Sequence, residues 1–363
     1  MAHLTRRALL ASTSGAILAA TSARPRQAFG ASSDGPIRLM GNENPYGPSP
    51  QAADAMSSNI DRAWQYVFSE ERRLAFMIAA RENISPENVL ITAGSAEALR
   101  IAALMACGNG GELVAATPSF PFLQLYAKRL GATLKEVPLN SDMVHDLEAM
   151  SENISEDTRL VYVCNPNNPT GTLLPADELA NFIDAIPPGV LTVVDEAYVD
   201  LLDDPRRSSM VRFAGSQKQI LLTRTFSKIH GLAGLRVGFV IAPAAVIKQA
   251  KALRMSMSNV VSINAAIASY QDLEFQAFSV GKIREAREVL YGFCRQNNLE
   301  FTPSEGNFVL IKTGRVKEFR DFLRSREILV GGSYAGYEDW CRISLGTVEQ
   351  MQHFSNIAGE FFV

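Results

Sequence analysis

The sequence contains little of what marks several common protein classes. Only four cysteines occur in 363 residues, and they are too widely scattered for a metal-binding knuckle or a Cys-x-x-Cys redox pair. No apolar run reaches the roughly 20 residues that a membrane-spanning helix needs, so no stable membrane anchor is expected. Lysines and arginines number 35 against 38 aspartates and glutamates, and this lack of a basic excess argues against a nucleic-acid partner.

The four cysteines leave two alternatives open. In an exported protein an even number can form two disulfides. Three of the four lie in apolar stretches, however, which favours buried free thiols. The positions are Cys107, Cys164, Cys294 and Cys341.

The first thirty residues differ in character from the rest of the chain. Arg6 and Arg7 precede an uncharged segment over residues 8–23. Paired arginines before an apolar segment are typical of a twin-arginine export signal, and the alternative is an ordinary frayed amphipathic start. We therefore expect residues 1–30 to be a signal peptide outside the fold. The mature protein is then periplasmic or exported, or cytoplasmic if the leader is not functional.

The middle of the chain alternates apolar runs of strand length with helical patterns. Continuous apolar runs are typical of strands covered on both faces, and strand–helix alternation predicts a doubly wound α/β domain with a mostly parallel sheet. Strands are predicted at residues 88–92, 112–116, 159–164, 190–194, 219–223 and 236–241, with helices at 96–107, 120–130 and 175–185.

After about residue 245 the pattern changes to a smaller α+β domain. Long helices are predicted over residues 263–295, strands at 307–311 and 340–344, and a helix at 316–325. We predict an N-terminal arm at 31–60 that joins this small domain, a large domain at 61–250 and a small domain at 251–363.

A lysine directly after an apolar strand is the most informative single residue. Lys228 is accompanied by hydroxyls at Thr225 and Ser227 and by Arg236 eight positions on. A lysine amine forms a Schiff base with an aldehyde, and hydroxyls and a guanidinium hold a phosphate. Pyridoxal phosphate carries both groups, so this segment predicts that cofactor.

Polar residues also follow two other predicted strands. The segment Asn165-Pro-Asn-Asn-Pro-Thr-Gly171 forms either a plain turn or a turn that projects Asn168 as a hydrogen-bond donor. Asp195 begins Asp-Glu-Ala-Tyr198, and it is either a helix N-cap or a carboxylate paired with a cation such as a protonated pyridine nitrogen. Tyr198 is close enough in sequence to reach the same ring.

A possible anion-binding turn occurs near residue 94. Gly94-Ser95-Ala96-Glu97 ends a predicted strand and opens a helix, where free N–H groups and the helix dipole favour a phosphate. Many helices begin with serine, so this motif is weak alone. The carboxyl ends of parallel strands are nevertheless where open α/β sheets bind ligands.

Taken together and in this order, the motifs resemble the fold-type I aminotransferases of class I/II. The motifs are Asn-Pro-Asn-Asn-Pro-Thr-Gly, Asp-Glu-Ala-Tyr and Ser227-Lys-Ile-His-Gly-Leu-Ala-Gly-Leu-Arg-Val-Gly238. The likeness extends from residue 42 to residue 347, and the relatives that it suggests most directly are the histidinol-phosphate aminotransferases. It implies a large doubly wound domain, a smaller α+β domain and amino-group transfer between a small-molecule amino donor and a 2-oxo acid.

The resemblance also implies a role for each candidate residue toward the cofactor. Lys228 bonds the cofactor aldehyde and then moves the proton, Asp195 keeps the ring nitrogen protonated, and Asn168 and Tyr198 bind the phenolic oxygen. The phosphate-binding residues are Ser95, Ala96, Thr225, Ser227, Arg236 and, from a neighbouring subunit, Tyr66. The match at Tyr66 implies a homodimer.

Toward the substrate, the resemblance implies a pairing of Arg342 with the α-carboxylate and places Asn42 beside it. An exposed strand charge is the alternative for Arg342. The sequence departs from the family at two positions. Leu123 stands where relatives stack an aromatic ring on the cofactor, so the stacking is apolar or is shifted to a neighbouring phenylalanine. Gly331 stands where histidinol-phosphate enzymes have a phosphate-binding arginine, which favours an aromatic or other uncharged amino acid as substrate.

Two other functions share these residues. A lyase or decarboxylase that uses the same cofactor needs Lys228 and Asp195 as well, although a carboxylate anchor at Arg342 favours chemistry that keeps the carboxylate. A non-catalytic regulator is the third class, and regulators that bind this cofactor carry an N-terminal DNA-binding domain, where this chain has its short predicted leader.

Overall fold

The computed structural model describes residues 35–362, so the predicted leader lies outside the described residues. Within this range the strands are β1 (Ile37–Leu39), β2 (Val89–Thr92), β3 (Glu112–Thr117), β4 (Thr133–Pro138), β5 (Thr158–Cys164), β6 (Leu191–Asp195), β7 (Ile220–Thr225), β8 (Gly238–Ile241), β9 (Phe308–Lys312), β10 (Ile328–Val330) and β11 (Trp340–Ser344). The α-helices are α1 (Pro50–Ser57), α2 (Phe68–Glu82), α3 (Ser95–Cys107), α4 (Phe122–Arg129), α5 (Leu147–Glu152), α6 (Ala176–Ala185), α7 (Pro205–Ser208), α8 (Ala244–Ala252), α9 (Val260–Gln271), α10 (Leu273–Gln296), α11 (Val316–Arg324) and α12 (Val348–Gly359).

The predicted strands all form, each within two residues of the predicted bounds. The structure adds β1, β4 and β10. β1 and β10 have only three residues each and β4 is mostly exposed, so none of them has an apolar run of ordinary strand length. The predicted helical stretch over residues 263–295 divides into α9 and α10. The division falls at Asp272, whose side chain accepts a hydrogen bond from the backbone N–H of Phe275 and so caps α10.

A seven-stranded sheet forms the centre of the larger part of the molecule. Its strand order is β2-β8-β7-β6-β5-β3-β4, and only β8 runs antiparallel to its neighbours. Successive residues of β5 alternate between two separate hydrophobic cores, with Val161 and Val163 in one and Leu160 and Tyr162 in the other. The sheet is therefore covered on both faces, which confirms the predicted doubly wound α/β fold.

A smaller unit packs around two short sheets. β9 and β11 pair antiparallel, and β10 pairs in parallel with β1 from the N-terminal end of the described chain. A third core, which includes Phe308, Phe319 and Phe354, joins these strands to α10, α11 and α12. The first core also contains residues of α1 and α9. The domain boundaries at residues 60 and 250 stay a prediction.

The four cysteines are buried and free, which confirms the second of the two alternatives above. Burial raises the pKa of each thiol, for example that of Cys107 to about 11. In residues 35–362 no helix is both long and apolar enough to cross a membrane.

Candidate active site

The predicted site residues meet in one cavity at the carboxyl ends of the parallel strands. β5, β6 and β7 end at this cavity and α3 begins there, while β11 and the segment after β1 close it. The predicted residues that line it are Asn42, Ser95, Ala96, Asn168, Asp195, Tyr198, Thr225, Ser227, Lys228, Arg236 and Arg342. Gly41, Cys164 and Ala197 also line it, and the motifs of the sequence do not single them out. Two of them could have been predicted from their positions in the sequence, because Cys164 ends β5 and Ala197 lies two residues after Asp195.

Tyr66 is the one predicted site residue that does not line this cavity. Its side chain is 80% exposed, and it contacts the ring of Phe68 at a centroid distance of 6.0 Å. Trp64 beside it is 81% exposed. Tyr66 therefore belongs to an exposed aromatic segment that lies outside the cavity.

Asp195 is a buried acceptor that is held by three donors. Its Oδ1 accepts hydrogen bonds from the Thr223 hydroxyl at 2.8 Å and from the backbone N–H of Ala197 at 3.2 Å. Its Oδ2 accepts one from the Tyr162 hydroxyl at 3.2 Å. Burial raises the pKa of this carboxyl, while the donors and the charge of Lys228 oppose that rise. The side chain is thus fixed with little contact with water.

Lys228 follows β7, lines the cavity and contacts the segment after β1 that closes it. Its Nζ donates to the backbone carbonyl of Asn42 at 3.0 Å. Burial, and then the positive charge of Arg342, lowers the pKa of Lys228 to about 8. Because only the neutral amine has a free lone pair, this lowered pKa increases the nucleophilic fraction at neutral pH.

The hydroxyl of Tyr198 is oriented by two amides. It accepts a hydrogen bond from Nδ2 of Asn42 at 2.9 Å and one from Nδ2 of Asn168 at 3.3 Å. Burial raises the pKa of Tyr198, so the hydroxyl keeps its proton at neutral pH. With both lone pairs of the oxygen in use, the O–H remains free to donate to a ligand.

The other end of the cavity is built to receive an anion. α3 begins at Ser95 without a side-chain cap, and among the described residues the N–H groups of Ser95 and Ala96 have no partner, whereas that of Glu97 donates to the carbonyl of Gly94. Gly94 has φ of +76°, and a Cβ there would collide with the guanidinium of Arg236. The hydroxyl of Thr225 donates to that of Ser227 at 2.9 Å beside them. This end of the cavity therefore brings together free N–H groups, two hydroxyls and a guanidinium. Glycine at position 94 leaves the space between them open.

Arg342 reaches the cavity from β11. Its Nη1 donates to Oδ1 of Asn168 at 2.6 Å and its Nη2 to the backbone carbonyl of Met40 at 2.7 Å. Within residues 35–362 its Nε atom is buried and has no hydrogen-bond partner. Each Nη atom has a second N–H, so the guanidinium can still donate to an incoming carboxylate.

The two departures from the family are both explained by packing. Leu123 is fully buried in the core that includes α3, whereas Phe120 and Phe122 line the cavity with ring centroids 4.6 Å apart. Of the two alternatives, this geometry favours a shifted aromatic contact. Gly331 is buried, and a Cβ there would lie 2.5 Å from the backbone oxygen of Arg342. An arginine cannot occupy position 331 unless the backbone moves.

The chain is similar to known proteins over nearly all of its described residues. Residues 35–356 match the family model for aminotransferases of class I and II. The chain is 38% identical over 320 residues to a histidinol-phosphate aminotransferase of Halalkalibacterium halodurans, with 86% of each chain covered. It is 35% identical over 325 residues to histidinol-phosphate aminotransferase 2 of Carboxydothermus hydrogenoformans, with 88% of this chain and 89% of the relative covered.

A solved structure shares the fold. The histidinol-phosphate aminotransferase of Sinorhizobium meliloti, in complex with pyridoxal-5'-phosphate, superposes with a TM-score of 0.83 at 24% identity, over 90% of this chain and 92% of that one. The α/β architecture is therefore that of the fold-type I enzymes, as the resemblance implied. With its family match over nearly all the described residues, the chain belongs to the class I and II aminotransferases.

Proposed function

We propose that this protein transfers an amino group from an L-amino acid, or from an amine similar to histidinol phosphate, to a 2-oxo acid. It is an aminotransferase that depends on pyridoxal 5'-phosphate and alternates between two half-reactions. The observation that carries the proposal is the convergence of Lys228, Asp195 and Arg342 on one cavity. These side chains are a nucleophile, a buried carboxylate and a carboxylate-binding cation.

The residues present fit this cofactor. The cradle formed by Gly94, Ser95 and Arg236 suits its phosphate, and a side chain at position 94 would fill it. Three of about four acceptor sites on the Asp195 carboxylate are in use, which leaves one for a ring N–H. The free O–H of Tyr198 suits the phenolic oxygen.

Each of these residues has a distinct task in the reaction. Bound cofactor supplies an electron sink for the pair of electrons left when the substrate Cα loses its proton. Lys228 would hold the cofactor through its amine, and the free amine would act as the base that takes the proton from the substrate Cα and later gives it up. Asp195 provides the fixed negative charge opposite the ring nitrogen. Asn168 and Tyr198 would hold the phenolic oxygen by hydrogen bonds, and Arg342 would fix the substrate by its carboxylate.

For the substrate we infer an aromatic or other uncharged side chain. Position 331 carries no cation, and the backbone oxygen of Arg342 leaves no space for one. Phe120 and Phe122 present an apolar surface at the cavity instead. The curated relatives are histidinol-phosphate aminotransferases, so histidinol phosphate is the substrate against which this inference has to be tested.

A half-reaction screen tests the function and the substrate together. Purified protein loaded with pyridoxal phosphate is mixed with single amino acids and with histidinol phosphate, and the cofactor absorbance and the released 2-oxo acid are followed. We expect conversion of the cofactor to its amine form, fastest with aromatic amino acids, and no conversion by Lys228→Ala. Release of CO2 or free ammonia without that conversion would instead identify a decarboxylase or lyase on the same scaffold.

We further propose that the protein works as a homodimer. Ile60, Trp64, Tyr66 and Phe68 form an exposed apolar segment, at 63%, 81%, 80% and 59% exposure. Large exposed aromatic groups close together are typical of a protein interface. Tyr66 lies outside its own cavity, which supports a role for it at the site of a neighbour. Mixing Lys228→Ala with Tyr66→Ala protein tests this, because mixed dimers regain one intact site. Activity that stays at the level of the separate variants contradicts the shared site.

For location we propose export through the twin-arginine route. This route carries folded proteins, and a protein that binds its cofactor before export suits it. Four buried, free thiols are consistent with folding before exposure to an oxidising compartment. Fractionation of cells that express the full chain, beside an Arg6→Lys and Arg7→Lys double variant, is the test. Equal amounts of both forms in the periplasm would contradict the proposal.

A further inference from the structure

The three hydrogen bonds to Asp195 are unequally distributed between its oxygens. Oδ1 accepts two, from Thr223 and Ala197, whereas Oδ2 accepts only that of Tyr162. A carboxylate offers about two acceptor sites on each oxygen. Oδ1 is therefore saturated, and the remaining site lies on Oδ2. Any ring N–H that Asp195 accepts must share this oxygen with the hydroxyl of Tyr162.

Tyr162 is placed so that its hydroxyl acts on Asp195. The side chain is fully buried in β5, one strand away from Asp195 in the sheet. Burial raises the pKa of Tyr162 well above its ordinary value, so the hydroxyl stays protonated and donates throughout the working pH range. A buried hydroxyl is costly unless it is bonded, and its hydrogen bond goes to Oδ2 of Asp195.

We infer that Tyr162 is a positioning residue that sets how strongly Asp195 interacts with the cofactor ring. This inference rests on the proposed function. A donor to Oδ2 withdraws negative charge from the oxygen that faces the ring nitrogen, because hydrogen bonds to an ionised acceptor are the strong ones. Tyr162 therefore reduces the negative charge that the Asp195 carboxylate presents to the ring. The hydroxyl of Tyr162, rather than its aromatic ring, has this effect.

The expected effect has a defined direction. Without the hydroxyl, Asp195 carries more negative charge on Oδ2 and attracts the ring proton more strongly. The nitrogen through which Lys228 is bonded to the cofactor then keeps its proton to higher pH, because more negative charge nearby favours the protonated form of that nitrogen. The other titratable or charged groups that face this region are Cys164, Tyr198, Lys228, Arg236, Arg342 and Glu43. They are the same in both forms, so the difference between variants isolates Tyr162.

The test is a pH titration of the absorbance of the cofactor-loaded protein. For Tyr162→Phe we expect the midpoint of the absorbance change to move upward by about 0.5–1 pH unit. This is a three- to tenfold change in the proton affinity of the nitrogen that bonds Lys228 to the cofactor. Tyr270→Phe is the matched control, because Tyr270 is also buried but its hydroxyl has no hydrogen-bond partner within residues 35–362. Its midpoint should equal that of the wild type.

A second variant covers the case in which Tyr162→Phe does not fold. Fluorotyrosine at position 162 keeps the shape and makes the hydroxyl a stronger donor, so the midpoint should move downward. A midpoint that stays at the wild-type value in a folded variant, while Tyr270→Phe behaves identically, overturns the inference. Failure of the proposed function looks different, because the wild-type protein would then bind no cofactor or transfer no amino group.

Discussion

Nη1 of Arg342 lies 2.6 Å from Oδ1 of Asn168, although the two residues are 174 positions apart in the chain. The contact joins β11 of the smaller unit to the turn that follows β5. Nδ2 of the same Asn168 donates to Tyr198, so one amide connects the guanidinium with the tyrosine hydroxyl. The side chain of Arg342 is therefore fixed before any substrate is bound, which lowers the entropy cost of binding a carboxylate.

Arg342→Lys should lose activity selectively toward substrates that have a carboxylate. Lysine keeps the charge but cannot form the paired bonds or reach both Asn168 and Met40. Because hydrogen bonds to charged groups contribute about 1.5–3 kcal/mol, we expect kcat/KM for amino acids to fall roughly 10- to 100-fold. Half-reaction kinetics with an amino acid and with its decarboxylated amine measure this. An equal loss for both would show that Arg342 does not bind the carboxylate, and the exposed Arg324→Lys serves as the control.

The lowered pKa of Lys228 predicts how cofactor binding depends on pH. Burial and Arg342 favour the neutral amine, so the pKa falls to about 8. The neutral form is the nucleophile. The rate at which cofactor-free protein reacts with pyridoxal phosphate should therefore rise with pH and level off above about 8. Rapid-mixing absorbance measurements give this profile. Arg342→Met should move the midpoint to higher pH, because the repelling charge is gone, and a midpoint near that of free lysine in the wild type would contradict the prediction.

Gly331→Ala should destabilise the protein, while Gly332→Ala should not. A Cβ at 331 would lie 2.5 Å from the backbone oxygen of Arg342, whereas one at 332 meets only Arg320 Nη1 at 3.6 Å. Forcing backbone apart in a packed region costs about 1–3 kcal/mol. Denaturant unfolding of both variants measures the difference. Equal stability of the two variants would mean that β10 can move away from β11 freely.

Arg224→Met should lower the free energy of unfolding strongly. Arg224 is buried and donates to Glu196 at 2.9 Å and to Glu82 at 2.7 Å. Removing the cation leaves two buried carboxylates without their partner, which costs about 3–5 kcal/mol. Lys317→Met removes one partner of an exposed ion pair with Asp321 and should leave thermal unfolding unchanged. If the two variants unfold alike, the buried cluster does not contribute to stability.

The sequence predicted the residues whose position follows from a motif, and missed those whose position follows from strand register. Lys228 and Asp195 were predictable because each directly follows or ends an apolar strand, and parallel strands end at a common edge. The contacts of Tyr162 and Thr223 with Asp195 depend on how β5 and β7 align with β6. That alignment is a property of pairing between distant segments, so no local pattern reveals it.

The direction of β8 and the surroundings of Gly331 could not be predicted from the sequence either, because both depend on contacts between distant segments. The reversed direction of β8 depends on its neighbours in the sheet, and its apolar run fits either direction. Gly331 could be recognised as a departure from relatives, but the nearby oxygen of Arg342 that excludes a side chain there became visible only in the fold.

Asn42 connects parts of the chain that are synthesised at very different times. Its carbonyl accepts hydrogen bonds from Lys228 and Asn307, and its side chain contacts Tyr198 and Ser344. A nascent chain that still lacks β11 has neither Ser344 nor Arg342, so its cavity remains open on one side. The cavity therefore closes only after β11 has been synthesised and has packed against the segment that follows β1.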